Sequence, residues 1–160
     1  MDAQTDALKE HPLSDVLNWL MHRAALSIGE AESRACREQG LSIRGYVTLR
    51  YIAKSEPRTQ LEIAREICLD KTTTTAVIDE LVASGFVVRE IGSKDRRSRV
   101  PAITDAGLAV IAGIAPTIQS IENDALASLA ADERTEFVSS LRKIAFSPFA
   151  METPPSGSCM

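Results

Sequence analysis

Residues 69 to 104, LDKTTTTAVIDELVASGFVVREIGSKDRRSRVPAIT, constrain the fold more than any other stretch of this chain. Asp70 marks a helix start, because its carboxylate can accept from the free N–H groups of a first turn. Four threonines follow, Thr72 to Thr75. Threonine is a poor helix former, so the run needs a reason beyond propensity. Val77, Ile78 and Leu81 recur at helical spacing and define a buried side. The helical repeat adds Thr74 to that side. Thr72, Ala76 and Asp79 point the other way, flanked by Thr73 and Thr75. Gly85 ends the helix where a left-handed residue is favoured. Residues 86–90 and 99–103 are strand-like runs around a tip that holds Lys94, Asp95, Arg96 and Arg97. A helix followed by a hairpin with an arginine-rich tip suggests a DNA-reading unit.

Charge distribution supports that suggestion better than charge total does. The net charge is −4, which by itself does not suit a nucleic-acid binder. Residues 41–105 nevertheless carry 11 Lys and Arg against 9 Asp and Glu. Residues 86–100 carry 5 against 2. The terminal segments are acidic. Such a layout fits a protein that touches DNA on one side only. No apolar run approaches the roughly 20 residues that span a bilayer. The acidic start, MDAQTDALKEHPLSD, does not read as a signal peptide. The sequence therefore predicts a cytoplasmic protein without a membrane partner.

The flanks predict helices. From Leu13 to Ala35, apolar residues recur at i, i+3, i+4 spacing, and Glu32 is the one charged residue in that stripe. Pro12 suits a first turn, and the helix should end near Gly40. The stripe is too long for one hairpin to cover, so a partner helix or subunit is expected over part of it. Trp19 and His22 lie beside it. Packing is the simpler account of Trp19, and a pocket wall is the other. Ser42 can cap a second helix, which Gly45 weakens near its start. Thr59 and Glu62 form a capping box for a third helix, packed through Leu61, Ile63, Ala64 and Ile67. The tight link through Cys68 and Leu69 makes a helix-turn-helix with the threonine helix. Thr104 caps a long apolar helix that Pro116 should kink, and a last helix runs from near Ala130 to Pro148. Residues 1–11 and 149–160 have the composition of flexible ends.

In this order, Thr59-Gln60-Leu61-Glu62-Ile63-Ala64, Leu69-Asp70-Lys71-Thr72-Thr73, Val77-Ile78-Asp79-Glu80-Leu81, Ser84-Gly85-Phe86-Val87-Val88-Arg89, Asp95-Arg96-Arg97-Ser98-Arg99 and Ile103-Thr104-Asp105-Ala106-Gly107 resemble the MarR family of bacterial regulators. The resemblance extends over residues 12–148. It implies a mainly α fold with a small β-hairpin wing, in which a winged helix-turn-helix DNA-binding lobe, 41–104, joins dimerisation helices, 12–40 and 105–148. It implies a homodimer on a pseudo-palindromic double-stranded DNA operator, released by a small aromatic or phenolic effector. The pocket it implies lies near Trp19, His22, Arg23 and Tyr46.

Within that frame, Thr72, Thr73 and Thr75 can reach phosphates or bases, and their methyl groups can meet thymine methyls. Lys71 and the helix N-terminus favour phosphate. Arg97 is the candidate for minor-groove insertion, with Lys94, Arg96 and Arg99 on phosphates. Asp95 orients the wing arginine by family analogy. Three positions depart from the family pattern. Ala76 stands where many relatives carry arginine, Gly45 where glutamine is common, and Ala130-Ala131 lacks the usual polar cap.

Other functions are less well supported. A redox-responsive regulator of the same fold would use Cys36 or Cys68, and a metal sensor would have little beyond His11 and His22. Cys36 and Cys68 read more simply as small apolar residues in or near a core. The three cysteines, with Cys159 in the tail, form neither a disulfide framework nor a zinc motif. No phosphate loop, nucleophile elbow or HExxH motif marks an enzyme, and no cofactor is implied. A protein-interaction module would explain the apolar helices but not the basic hairpin.

Overall fold

The structure, a computed structural model, describes residues 11–92 and 99–147. Among the described residues, six helices and one hairpin follow in order. They are α1 (Leu17–Glu38), α2 (Ile43–Lys54), α3 (Gln60–Glu66), α4 (Lys71–Ala83), β1 (Val87–Ile91), β2 (Arg99–Ile103), α5 (Asp105–Ala125) and α6 (Ala131–Ala145). The fold is mainly α, and α3, α4 and the hairpin form a winged helix-turn-helix. β1 and β2 pair antiparallel, with Val87 opposite Ile103 and Ile91 opposite Arg99.

Side-chain caps set most helix starts. Ser42 accepts from the Gly45 N–H at 3.0 Å, so α2 begins firmly despite the glycine. Glu62 Oε2 accepts from the Thr59 N–H at 2.8 Å, and the Glu62 N–H reaches back to Thr59 Oγ1 at 3.4 Å. Ala130 has no side-chain acceptor, but Glu133 Oε2 takes its N–H at 2.7 Å. The missing polar cap is thus half replaced from inside α6.

Three helices end alike. At Gly40 (φ 70), Cys68 (φ 56) and Gly85 (φ 74) the chain turns left-handed. In each case the next residue's N–H bonds back five residues, Leu41 to Cys36, Leu69 to Ala64 and Phe86 to Leu81, at 3.0 Å. This is the Schellman ending. Glycine suits it twice, and cysteine fills it at the helix-turn-helix bend.

α2 sits at the centre and touches α1, α3, α4, α5 and β2. Its Tyr46, Thr48, Leu49 and Ile52 are buried. One core joins them to Ala35 and Cys36 of α1, Val77, Ile78 and Leu81 of α4, and Ile114 and Ile118 of α5. By contrast, α6 buries none of its own residues. Phe137, Leu141, Ile144 and the following Phe146 are exposed, as are Leu17, Leu20 and Met21 on α1.

Several expectations change. α1 starts at Leu17, because residues 12–15 form a turn in which His11 carbonyl and ring nitrogen accept from Ser14 and Leu13 N–H groups. Leu61 is 47% exposed rather than packed. Cys68 is exposed on the bend rather than in the core. α5, with Pro116 inside it, stops at Ala125, ahead of the expected end near Ala130.

The junction of wing and α5 is tight. Thr104 Oγ1 donates to the Gly85 carbonyl at 2.7 Å and accepts from the Gly107 N–H at 3.1 Å. A Cβ on Gly107 would stand 2.4 Å from the Phe86 carbonyl oxygen and 2.8 Å from Ile103. Backbone cannot step aside as a flexible side chain can. Gly107→Ala should therefore lower the unfolding midpoint by the equivalent of about 1–3 kcal/mol, as overpacking does, in chemical denaturation.

Candidate nucleic-acid interface and adjoining cavity

Asp70 fixes the start of α4. Its Oδ1 accepts from the Thr73 N–H at 2.9 Å, and its Oδ2 from the Thr73 hydroxyl at 2.6 Å. These bonds favour the carboxylate, so the Thr73 hydroxyl first and the Thr73 N–H second hold Asp70 below the usual aspartate range. Thr74 is fully buried and its hydroxyl donates to the Asp70 carbonyl at 2.9 Å. Packing therefore claims one threonine of the four, as the periodicity predicts.

The other three remain on the outer side. Lys71, Thr72 and Ala76 are exposed, and Thr73 and Thr75 are half-buried. The Thr75 hydroxyl donates to the Lys71 carbonyl at 2.9 Å. Beside Thr72, Thr73, Ala76, Val77 and Glu80 lies a groove of about 360 Å³, closed on the α2 side by Ser42 and Arg44. A small residue at 76 helps leave this space open. Arg99 stands exposed at the start of β2, on the tip side of the hairpin. Lys94, Asp95, Arg96 and Arg97 lie outside the described residues.

One pair escapes a reading by local spacing. Asp79, on the same outer side as Thr72 and Ala76, forms an ion pair with Arg89 of β1. It ties the far end of α4 to the wing and neutralises a carboxylate that would otherwise face phosphate. Ten residues separate the partners, so no helical or strand period reveals the contact. The charge signs alone hinted at it.

A second concavity, about 420 Å³, lies between α1 and α2. Ala25, Leu26, Ile28, Ile43 and Val47 supply apolar walls, and Gly29, Glu30, Glu32 and Ser33 complete it. Trp19, His22, Arg23 and Tyr46 are not among these residues. Trp19 instead stacks on His11, with ring centroids 4.4 Å apart, and the Arg23 guanidinium lies 5.5 Å from the Trp19 ring. Tyr46 is buried and accepts a hydrogen bond from Arg50 at 3.2 Å. Burial first, then Glu122 of α5, raises the Glu32 carboxyl, against a smaller opposing effect of Arg50. Cys36 is fully buried, and burial followed by Glu32 pushes its thiol up. That environment disfavours the thiolate that oxidation requires. Among the described residues no cluster of three His, Cys, Asp or Glu could hold a metal, and no helix is long and apolar enough to cross a membrane.

The two perturbed carboxyls should respond to pH with opposite signs. Asp70 has a lowered folded pKa, so its stabilisation is present above the unfolded value and is lost as pH falls through the folded one. Glu32 has a raised folded pKa, so its contribution is present in acid and is lost as pH rises through that value. Thermal melts should show Asp70→Ala below wild type and Glu32→Gln above it near neutrality. Both differences should shrink as pH falls below the ordinary carboxylate range.

Residues 41–98 match the model of the MarR family. The chain is 30% identical over 121 residues to the uncharacterized HTH-type transcriptional regulator YkoM of Bacillus subtilis, covering 76% of this chain and 79% of that protein. It superposes on CouR from Rhodococcus jostii RHA1 bound to p-coumaroyl-CoA with a TM-score of 0.76, at 25% identity and over 88% and 99% of the two chains. It also superposes on the transcriptional repressor CouR bound to a 23-mer DNA duplex, with a TM-score of 0.75 at 28% identity over 83% and 94%.

Proposed function

The chain belongs to the MarR family of transcriptional regulators, and from that premise we propose that it is a cytoplasmic, homodimeric repressor released from a pseudo-palindromic operator by a small aromatic or phenolic ligand. The observation that carries the DNA reading is the outer side of α4. It presents Lys71, Thr72, Thr73, Thr75 and Ala76 on a rigid, capped helix, and the hairpin that follows holds the chain's densest basic run. In this reading α4 enters the major groove. Arg97 enters the minor groove, Asp95 orients it, and Lys94, Arg96 and Arg99 meet phosphates. The DNA-bound CouR duplex supports the same use of the fold.

Residues 41–104 would form the DNA-binding lobe, and 12–40 with 105–148 the dimerisation helices. The apolar faces of α1 and α6 support this, because among the described residues Leu17, Leu20, Phe137, Leu141 and Ile144 remain exposed. The effector site we propose is the cavity between α1 and α2 rather than the surroundings of Trp19, His22, Arg23 and Tyr46. Its polar lining is Glu30, Glu32 and Ser33, without Lys or Arg. Carboxylates accept hydrogen bonds, so a ligand with a phenolic hydroxyl can donate where a bare carboxylate would be repelled. The p-coumaroyl-CoA bound to CouR supports an effector of this general kind. Burial of Cys36 favours ligand control over oxidation.

On an operator recovered by selection from random duplexes, Arg97→Ala should weaken binding by about tenfold or more in gel shifts. Unchanged affinity would count against the DNA reading. Sedimentation tests the dimer separately. Wild type should sediment as a dimer and Leu141→Asp as a monomer, because a charge in an apolar interface is left unpaired. A monomeric wild type at micromolar concentration would sink this assignment.

A further inference from the structure

The hydroxyl hydrogens on α4 are mostly spoken for within the helix itself. Thr73 Oγ1 donates to Asp70 Oδ2 at 2.6 Å, and Thr75 Oγ1 donates to the Lys71 carbonyl at 2.9 Å. A hydroxyl has one proton, so each of these oxygens is left to accept. Ala76 offers a methyl group and no polar atom. Asp79 can only accept, and it is already paired with Arg89. Thr72 keeps an uncommitted hydroxyl. The groove beside Thr72 and Ala76 has one guanidinium, Arg44, which comes from the first turn of α2 and already has a partner within the chain.

The major groove presents different chemistry at each base. Guanine shows two acceptors, O6 and N7, and is read by donors. Adenine and cytosine show an amino donor, and thymine shows a methyl group. The methyl groups and acceptor at Thr75 and Ala76 are therefore matched to thymine and to amino groups, and mismatched to guanine, whereas Lys71 and Thr72, about one turn earlier, can still donate.

We propose that α4 reads its half-site through methyl groups and hydroxyl acceptors, selecting A·T pairs and disfavouring guanine opposite Thr75 and Ala76. This rests on α4 being the major-groove helix. The threonine run then has a reading role distinct from the positioning role of the wing. At Thr75 and Ala76 it supplies shape and methyl contact without the long donor side chains that would recognise guanine, and Lys71 stands one turn away at the helix start.

Selection from a random duplex library, followed by base analogues, tests this. The recovered half-sites should carry thymine at the positions α4 faces. Replacing such a thymine with uracil removes the methyl group alone and should weaken binding about threefold to fourfold per methyl. Thr75→Val keeps the methyl shape without the hydroxyl and should retain thymine preference. Ala76→Arg should shift preference toward guanine. Enrichment of guanine by wild type, or uracil duplexes bound as tightly as thymine duplexes, would overturn the proposal while leaving DNA binding intact. Loss of thymine preference in Thr75→Val would also overturn it. Absence of binding to any duplex would remove the underlying assignment of α4 as well.

Discussion

Burial of α2 is the constraint on which the other elements depend. Leu49 is fully excluded from solvent, with Tyr46 and Ile52 close behind. Around this one helix the chain places α1 and α5, the helix-turn-helix, and strand β2. The α4 face and the long helices therefore share one core instead of packing as two. Thr48 is fully buried at this hub, and its hydroxyl has no partner among the described residues. An unpartnered buried hydroxyl costs about 1–3 kcal/mol, so surrounding apolar contacts must more than offset it. Because interiors are close-packed, a molecule entering between α1 and α2 has few soft directions in which to be accommodated. Displacement of α2 would move the packing partner of α4 directly.

Much of this could be read from residues alone, where the cause is local. Ser42, Thr59, Asp70 and Thr104 each cap the helix that follows, because a short polar side chain can reach an N–H two or three residues ahead. The burial of Thr74 follows from its phase with Val77, Ile78 and Leu81. The hairpin follows from two strand-like runs, which pair antiparallel from Val87 opposite Ile103 to Ile91 opposite Arg99. What escaped has non-local causes. The ion pair between Asp79 and Arg89 depends on how the wing folds back on α4. The cavity beside Glu32 depends on how α1 crosses α2, which no periodicity encodes. The turn ahead of Leu17 follows from His11 accepting two N–H groups, a role that a lone histidine does not announce.

The charges are arranged to limit self-conflict. On α4, the outward Asp79 is neutralised by Arg89 and the N-terminal Asp70 by its own helix. Glu133 is turned inward along the chain to hold the Ala130 N–H. At the junction of α1 and α5, Glu122 raises the Glu32 carboxyl, and Arg50 moderates the effect. Acidic tension is thus kept at the helical junction, while Arg89 of β1 sits against the outer side of α4.

The left-handed bend at Cys68 carries a consequence for how the gene can drift. A residue with a Cβ in this conformation costs about 1–2 kcal/mol relative to a right-handed one, and Cys68 is the non-glycine residue that adopts it among those described. Glycine would adopt it freely. Cysteine and glycine codons differ at one base, so relief of this strain is a single mutational step away. The side chain is exposed, so the exchange would remove no core contact. The bend between α3 and α4 is therefore a reserve of stability that the lineage can reach without altering a residue of the DNA-facing side.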